Sequence, residues 1–143
     1  MGKINNDVII ADTSGLVSLF VPTDSNHAVA VEEAKRLQQT KKDIIVINAV
    51  FDEFLNVVGR KFGHETALAA AHELTPPFIL LHEPQDIRAS GALEKFADLP
   101  KKVSFTDCLV MAVADAYWTK EIFGYDKQFA DAGYMRLTPA SDN

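Results

Sequence analysis

Apolar and polar positions fall along the chain in blocks whose lengths and periods separate strands from helices. Val8-Ile9-Ile10-Ala11 is a short β-branched run ended by an acid, and Ile44-Ile45-Val46-Ile47 and Phe78-Ile79-Leu80-Leu81 are further short apolar runs. Short runs that are apolar at every position predict strands buried on both faces. Ile122-Phe123-Gly124-Tyr125 predicts a fourth strand ending at Asp126, and Tyr134-Met135-Arg136-Leu137 a short last one. Helical patterns lie between them. One covers 14–20 and is stopped by Pro22, and a second covers 25–40 with Ser25 or Asn26 as its cap. Asn48 is placed to cap a helix running to about Lys61, and Gly63 breaks the chain before a helix over 64–74. Pro84 opens a further helix that ends near Asp98. After the loop Leu99-Pro100-Lys101-Lys102, the stretch 104–118 is the most apolar helix of the chain.

Strands alternating with helices predict an α/β fold, a three-layer α/β/α sandwich around a central parallel sheet. No repeat, low-complexity tract or linker interrupts the pattern, so 1–143 reads as one domain. In open α/β sheets, ligands bind beyond the carboxyl ends of the strands. Asp12 directly follows the first strand and Asp126 the fourth. Glu53 lies in the first turns of the helix after the second strand, at the border of the stripe formed by Val50, Phe51, Phe54, Leu55, Val57 and Val58. Its neighbour Asp52 points away from that stripe. One rule therefore sends Asp12, Glu53 and Asp126 to the same sheet edge, and Asp107 joins them if its helix begins there.

Each acid also has an ordinary structural reading. Asp12, or Ser14, can cap the first helix. Glu53 can be a surface residue with a packed stem. Ser104-Phe105-Thr106-Asp107 matches a capping box. Asp126 can be a turn residue before a short helix. The joint placement carries more than any single acid. Several carboxylates gathered together repel one another, and a hard cation such as Mg²⁺ or Mn²⁺ removes that repulsion with all-oxygen ligation.

Composition changes the picture little. The chain is 48% hydrophobic and 24% charged, ordinary globular usage. A formal charge of −6 argues against a general nucleic-acid binder, but not against an enzyme that meets phosphate through bound cations. The lone Cys108 cannot form an internal disulfide, which fits a reducing, cytoplasmic setting. The apolar stretch at Val8 to Ala11 is too short for a secretory leader, and no apolar run is long enough to span a membrane. Phosphate-binding glycine loops, a GxSxG elbow, HExxH and a zinc ribbon are all absent. Asp12-Thr13-Ser14 lacks the second acid of an aspartyl-phosphate phosphatase. His64 and His72 share a helix face but read as surface residues. Lys101 and Lys102, just before the Asp107 helix, are either a solvated pair or contacts for an RNA backbone.

The ordered set Ile-Ala-Asp12-Thr-Ser, Asp52-Glu53-Phe, Ser104-Phe-Thr-Asp107-Cys-Leu-Val-Met-Ala-Val-Ala and Phe-Gly-Tyr-Asp126-Lys-Gln-Phe resembles the PIN domain family. The likeness is to the VapC-like toxins of prokaryotic toxin–antitoxin pairs, and it runs from about Val8 to Leu137. It implies a single PIN-like nuclease domain with Mg²⁺ or Mn²⁺ held by Asp12, Glu53, Asp107 and Asp126. It implies endonucleolytic cleavage of RNA, a homodimer, and a cognate antitoxin that puts a basic side chain into the acidic cleft. Thr13, Ser14 and Thr106 match positions where the family carries hydroxyls near the metal, beside the Ser104 cap. Gln128 departs from the pattern, since many relatives have an acid there, which leaves one metal ion or two an open question. Three other readings stand beside this one: an RNA maturation or decay nuclease without antitoxin, a PIN-like module that binds without cutting, and a metal-dependent phosphatase.

Overall fold

The first three apolar runs lie side by side. The structure, a computed structural model, describes residues 7–139. Strands β1 (Val8–Ala11), β2 (Asp43–Ile47), β3 (Phe78–Leu81) and β4 (Ile122–Phe123) form one parallel sheet in the order β3-β2-β1-β4. Helices α1 (Thr13–Phe20) and α2 (His27–Gln39) connect β1 to β2, and α3 (Asn48–Phe62) and α4 (His64–His72) connect β2 to β3. A π turn (Ile87–Ala92), α5 (Leu93–Asp98) and α6 (Phe105–Ala116) lead to β4, and α7 (Lys127–Asp131) follows it. The first two crossovers step in one direction and the third returns across the sheet. Right-handed connections then place α1–α4 on one face and α5 and α6 on the other. Contacts of α1 with α3, and of the π turn and α5 with α6, agree with those two outer layers.

Ile9, Ile10 and Ala11 of β1 and Ile44 to Ile47 of β2 are buried, because helices cover both faces of the central strands. Helix α6 is buried from Asp107 to Ala114, as an all-round apolar helix must be. It begins with a complete capping box between Ser104 and Asp107 and gives way at Trp118, whose φ is 59°.

Four expectations need correction. The third strand is not buried on both faces: β3 is the sheet edge, and Ile79 and Leu80 are 43% and 53% exposed. Strand order, which decides this, is not written in a local pattern. The fourth strand pairs only over Ile122–Phe123, because the Tyr125 amide turns to Ser14 Oγ instead of a neighbouring strand. The last strand is reduced to a bridge between Glu121 and Met135. Asn48 does not cap α3 with its side chain; its backbone N–H donates to Glu83 Oε2 at 2.9 Å, so a distant carboxylate closes that helix end.

Candidate metal centre

The direction of the chain reverses at β1: β2 and β3 lie to one side and β4 to the other. The crevice beyond the carboxyl ends of β1 and β4 is thus the switch point of this sheet. Asp12 leaves β1 there and Asp126 leaves β4. The buried helix α6 starts at the same edge and brings Asp107. One carboxylate oxygen each from Asp12, Asp107 and Asp126 lies within 4.8 Å of the other two. Asp12 is 2% exposed and Asp107 7%, while Asp126 is partly open to solvent.

Each acid is fixed by its own local device. Asp12 Oδ2 accepts from Ser14 Oγ at 3.0 Å and from the Ser14 N–H at 3.4 Å, so the cap of α1 orients a carboxylate of the cluster. The same hydroxyl accepts the Tyr125 N–H at 3.0 Å and ties the turn after β4 to the start of α1. Asp107 Oδ2 accepts from the Ser104 N–H at 3.0 Å and from Gln128 Nε2 at 3.2 Å. Capping and membership of the cluster therefore coexist in Asp12 and Asp107. Thr13 is buried with its hydroxyl unpartnered. Thr106 is half-buried beside Asp107.

Two glycines make the closeness possible. A Cβ on Gly15 would run into the Phe123 carbonyl, and one on Gly124 would stand 2.8 Å from Asp12 Cβ. Any larger residue would push α1 away from β4 and open the cluster.

Glu53 stands apart from these three. It is exposed on α3 and does not join the group of mutually close carboxylates. It faces the site from the rim, sharing a cleft wall with Asp126 and adding to the negative charge that Asp126 feels. The border position on the stripe explains this: the helix turns Phe54 and Val58 inward and leaves Glu53 at the edge.

The electrostatics are those of negative charges gathered in a partly buried place. Burial, then the charges of Asp126 and Asp107, push the Asp12 carboxyl from 3.8 up to about 7, against the hydrogen bonds from Ser14. Burial and the Asp107 charge likewise push Asp126 up, against a hydrogen bond from Asp12 and the charge of Arg136. Without a cation, Asp12 keeps its proton to a higher pH than an ordinary carboxyl does. A divalent ion with oxygen ligands suits the same three acids and removes the cost of gathering them. Cys108, at 0% exposure, has its thiol pushed up by burial and by Asp107, which keeps it protonated and inert.

Sequence reasoning did not find the contact from Gln128 to Asp107, nor the role of Glu83. Glu83 is 8% exposed and joins the α3 N-terminus to Arg88 Nη2, 2.9 Å from its Oε1. It stands two residues past the end of β3, so the rule that picked Asp12 and Asp126 also points to it when applied to the third strand.

Known proteins share this fold. The PIN domain family matches residues 9–133. The chain is 26% identical over 134 residues to the "23S rRNA-specific endonuclease VapC20" of Mycobacterium tuberculosis, covering 92% of this chain and 99% of that protein, for strain H37Rv and strain CDC 1551 alike. The crystal structure of Mycobacterium tuberculosis VapC20, described as a "Sarcin-Ricin loop cleaving toxin", superposes with a TM-score of 0.74 at 26% identity, over 89% of this chain and 96% of that one. A match spanning the first strand, the four acids and the last helix, together with the shared fold, leads to one conclusion: this chain belongs to the PIN domain family.

Proposed function

We propose that the protein is a divalent-metal-dependent endoribonuclease and the toxin of a toxin–antitoxin pair, its domain formed by the whole of 1–143. The observation that carries this reading is the meeting of Asp12, Asp107 and Asp126 within 4.8 Å at the switch point of the sheet. Those three acids would hold Mg²⁺ or Mn²⁺, and Glu53 would act on the ion from the rim, through water. When bound, the ion lowers the pKa of water and stabilises charge building on the phosphate oxygens. The protein's own contribution is to hold the acids ready. Ser14 fixes Asp12, and Ser104 and Gln128 fix one oxygen of Asp107. Asp126, half-open to solvent, is the acid placed to meet an incoming strand and to orient a water. Gln128 supplies a neutral donor where another carboxylate would add charge, which favours one tightly held ion over two.

The relatives named for cutting 23S rRNA support a structured RNA loop as substrate. Loop nucleotides are the part of RNA that proteins read by unstacking bases. Such an enzyme works in the cytoplasm. A cognate antitoxin silences it by placing an Arg or Lys in the acidic cleft, where it stands in for the cation. Exposed Leu68 on α4 and exposed Ile79 and Leu80 on β3 support assembly as a homodimer.

The test is direct. Asp12→Asn and Asp107→Asn each abolish Mg²⁺-dependent cleavage of ribosomal RNA while circular dichroism shows an unchanged fold. Undiminished cutting by either purified variant would refute the assignment. Co-elution with the product of the adjacent gene tests the antitoxin, and light scattering at a mass near twice 15.7 kDa tests the dimer.

A further inference from the structure

The chain carries a formal charge of −6, so a phosphate backbone lying on it needs placed cations beyond the metal centre. Arg88, in the π turn, is held as such a cation would be. Its Nη2 donates to Glu83 Oε1 at 2.9 Å, and its guanidinium carbon lies 5.9 Å from the centre of the Phe105 ring. Both partners belong to the sheet edge that bears the carboxylate cluster. Phe105 opens α6, two residues before Asp107. Glu83 follows β3, and its other oxygen accepts the N–H of Asn48 at the end of β2. The register of β1 with β2 sets Val8 beside Asp43 and Ile10 beside Ile45. Carried on to the strand ends, it sets Asp12 beside Ile47, next to Asn48. Arg88 is thus tied from two sides to the carboxyl edge, by the strand next to the one that Asp12 leaves.

The pair with Glu83 is lopsided. The Glu83 side chain is 5% exposed and the Arg88 side chain 41%. The buried carboxylate already lies at the N-terminus of α3, which favours a negative charge there. Among the described residues, the Arg88 side chain makes one hydrogen bond, the one to Glu83, and a guanidinium has five N–H donors. A pair that only neutralised Glu83 would gain from a forked, two-bond contact. Here one bond and one aromatic face hold the guanidinium, and four donors remain on a group that is open to solvent.

We propose that Arg88 grips a backbone phosphate of the RNA flanking the scissile one, aimed by Glu83 and the Phe105 ring. The proposal rests on the ribonuclease reading above. Arg88 is a binding residue in it and does not touch the reacting atoms. A guanidinium forks onto two phosphate oxygens, whereas an ammonium meets them as a point charge. Such a contact strengthens the hold on RNA of any sequence and adds no base preference.

The experiment is steady-state cleavage of ribosomal RNA with Mg²⁺, across about 50–200 mM salt. It compares the wild type, Arg88→Lys, Arg88→Gln and the double variant Glu83→Gln/Arg88→Gln. Arg88→Gln raises KM about tenfold with kcat unchanged, the mark of lost uniform binding. Its plot of log kcat/KM against log salt is shallower by about 0.7. Arg88→Lys keeps the charge and the slope but recovers only part of KM, because the fork is gone. Mn²⁺ affinity by calorimetry stays that of the wild type, since Arg88 is bonded to none of the three acids. Arg88→Gln also strips a buried carboxylate of its partner and unfolds at a lower temperature. The double variant removes both charges, recovers that stability and keeps the raised KM. Lys61→Gln, exposed at the far end of α3, is the control and leaves KM and slope alone. Should the double variant misfold, KM and slope of Arg88→Gln well below its Tm decide. A KM that returns to the wild-type value along with stability in the double variant overturns the proposal, as does a loss that Lys61→Gln matches. Arg88 variants that cut RNA as the wild type does sink the Arg88 assignment alone. A wild type that binds Mn²⁺ and cuts no RNA overturns the ribonuclease reading and this proposal together.

Discussion

Replacing Asp12 by Asn in the metal-free protein separates a carboxylate kept for a cation from one kept for the fold. Asp12 is buried among two other acids, and its carboxyl is raised from 3.8 to about 7. A rise of that size corresponds to about 4 kcal/mol lost from the folded state once the group is ionised. The sign follows from proton binding. Below pH 3.8 Asp12 is protonated in both states and contributes nothing. Between about 4 and 7 the unfolded chain releases its proton first, so stability falls as pH rises, and the full cost is present above 7. Asp12→Asn cannot ionise, yet its amide oxygen can still accept from Ser14. In chelator, the variant is therefore equal to the wild type near pH 4 and more stable at pH 8, by up to about 4 kcal/mol. For a domain of this size that is a Tm higher by about 10 °C. Thermal unfolding followed by circular dichroism at pH 4, 6 and 8 measures it. Saturating Mn²⁺ reverses the order, since only the wild type gains the binding free energy. A variant that is less stable than the wild type at pH 8 without metal, or a difference independent of pH, refutes the reasoning.

Three further outcomes follow from single contacts. Gln128→Glu puts a carboxylate where an amide now donates to Asp107 at 3.2 Å; it lowers metal-free stability at pH 8 by about 1–3 kcal/mol and tightens Mn²⁺ binding in calorimetry. Ser104→Ala removes the hydroxyl that caps α6 at the Asp107 N–H, 3.1 Å away, and costs about 1 kcal/mol in urea unfolding. Gly15→Ala drives a methyl into the Phe123 carbonyl; it destabilises by several kcal/mol on the order of an overpacked core and cuts Mn²⁺ affinity, because α1 must move away from β4.

Much of the site is legible in the sequence because two of its acids obey a rule tied to local pattern. Asp12 and Asp126 each follow an apolar run, and strand ends locate ligand sites in parallel sheets. Asp107 is legible for another reason: an acid opening a helix apolar on every face sits near the interior. Glu53 shows where such reasoning runs out. Its position on α3 is set by helical period, but whether the border of a stripe meets the cluster or only the cleft beside it depends on how α3 is rotated over the sheet. That rotation is fixed by tertiary packing of Val50, Phe54 and Val58. The same holds for β3, whose apolar run reads like β2 but lies at the edge, and for Gln128, whose amide meets Asp107 only because α7 folds back over the start of α6. The tie from Asn48 to Glu83 spans 35 residues, and no helix-capping pattern in α3 itself contains it.

The central claim is that Asp12, Asp107 and Asp126 share one divalent cation. Anomalous diffraction from crystals soaked in Mn²⁺ tests it most directly. The account predicts a single strong peak bonded to all three carboxylates and lost in Asp107→Asn. A map with no peak among them, or a peak held elsewhere on the molecule, contradicts it.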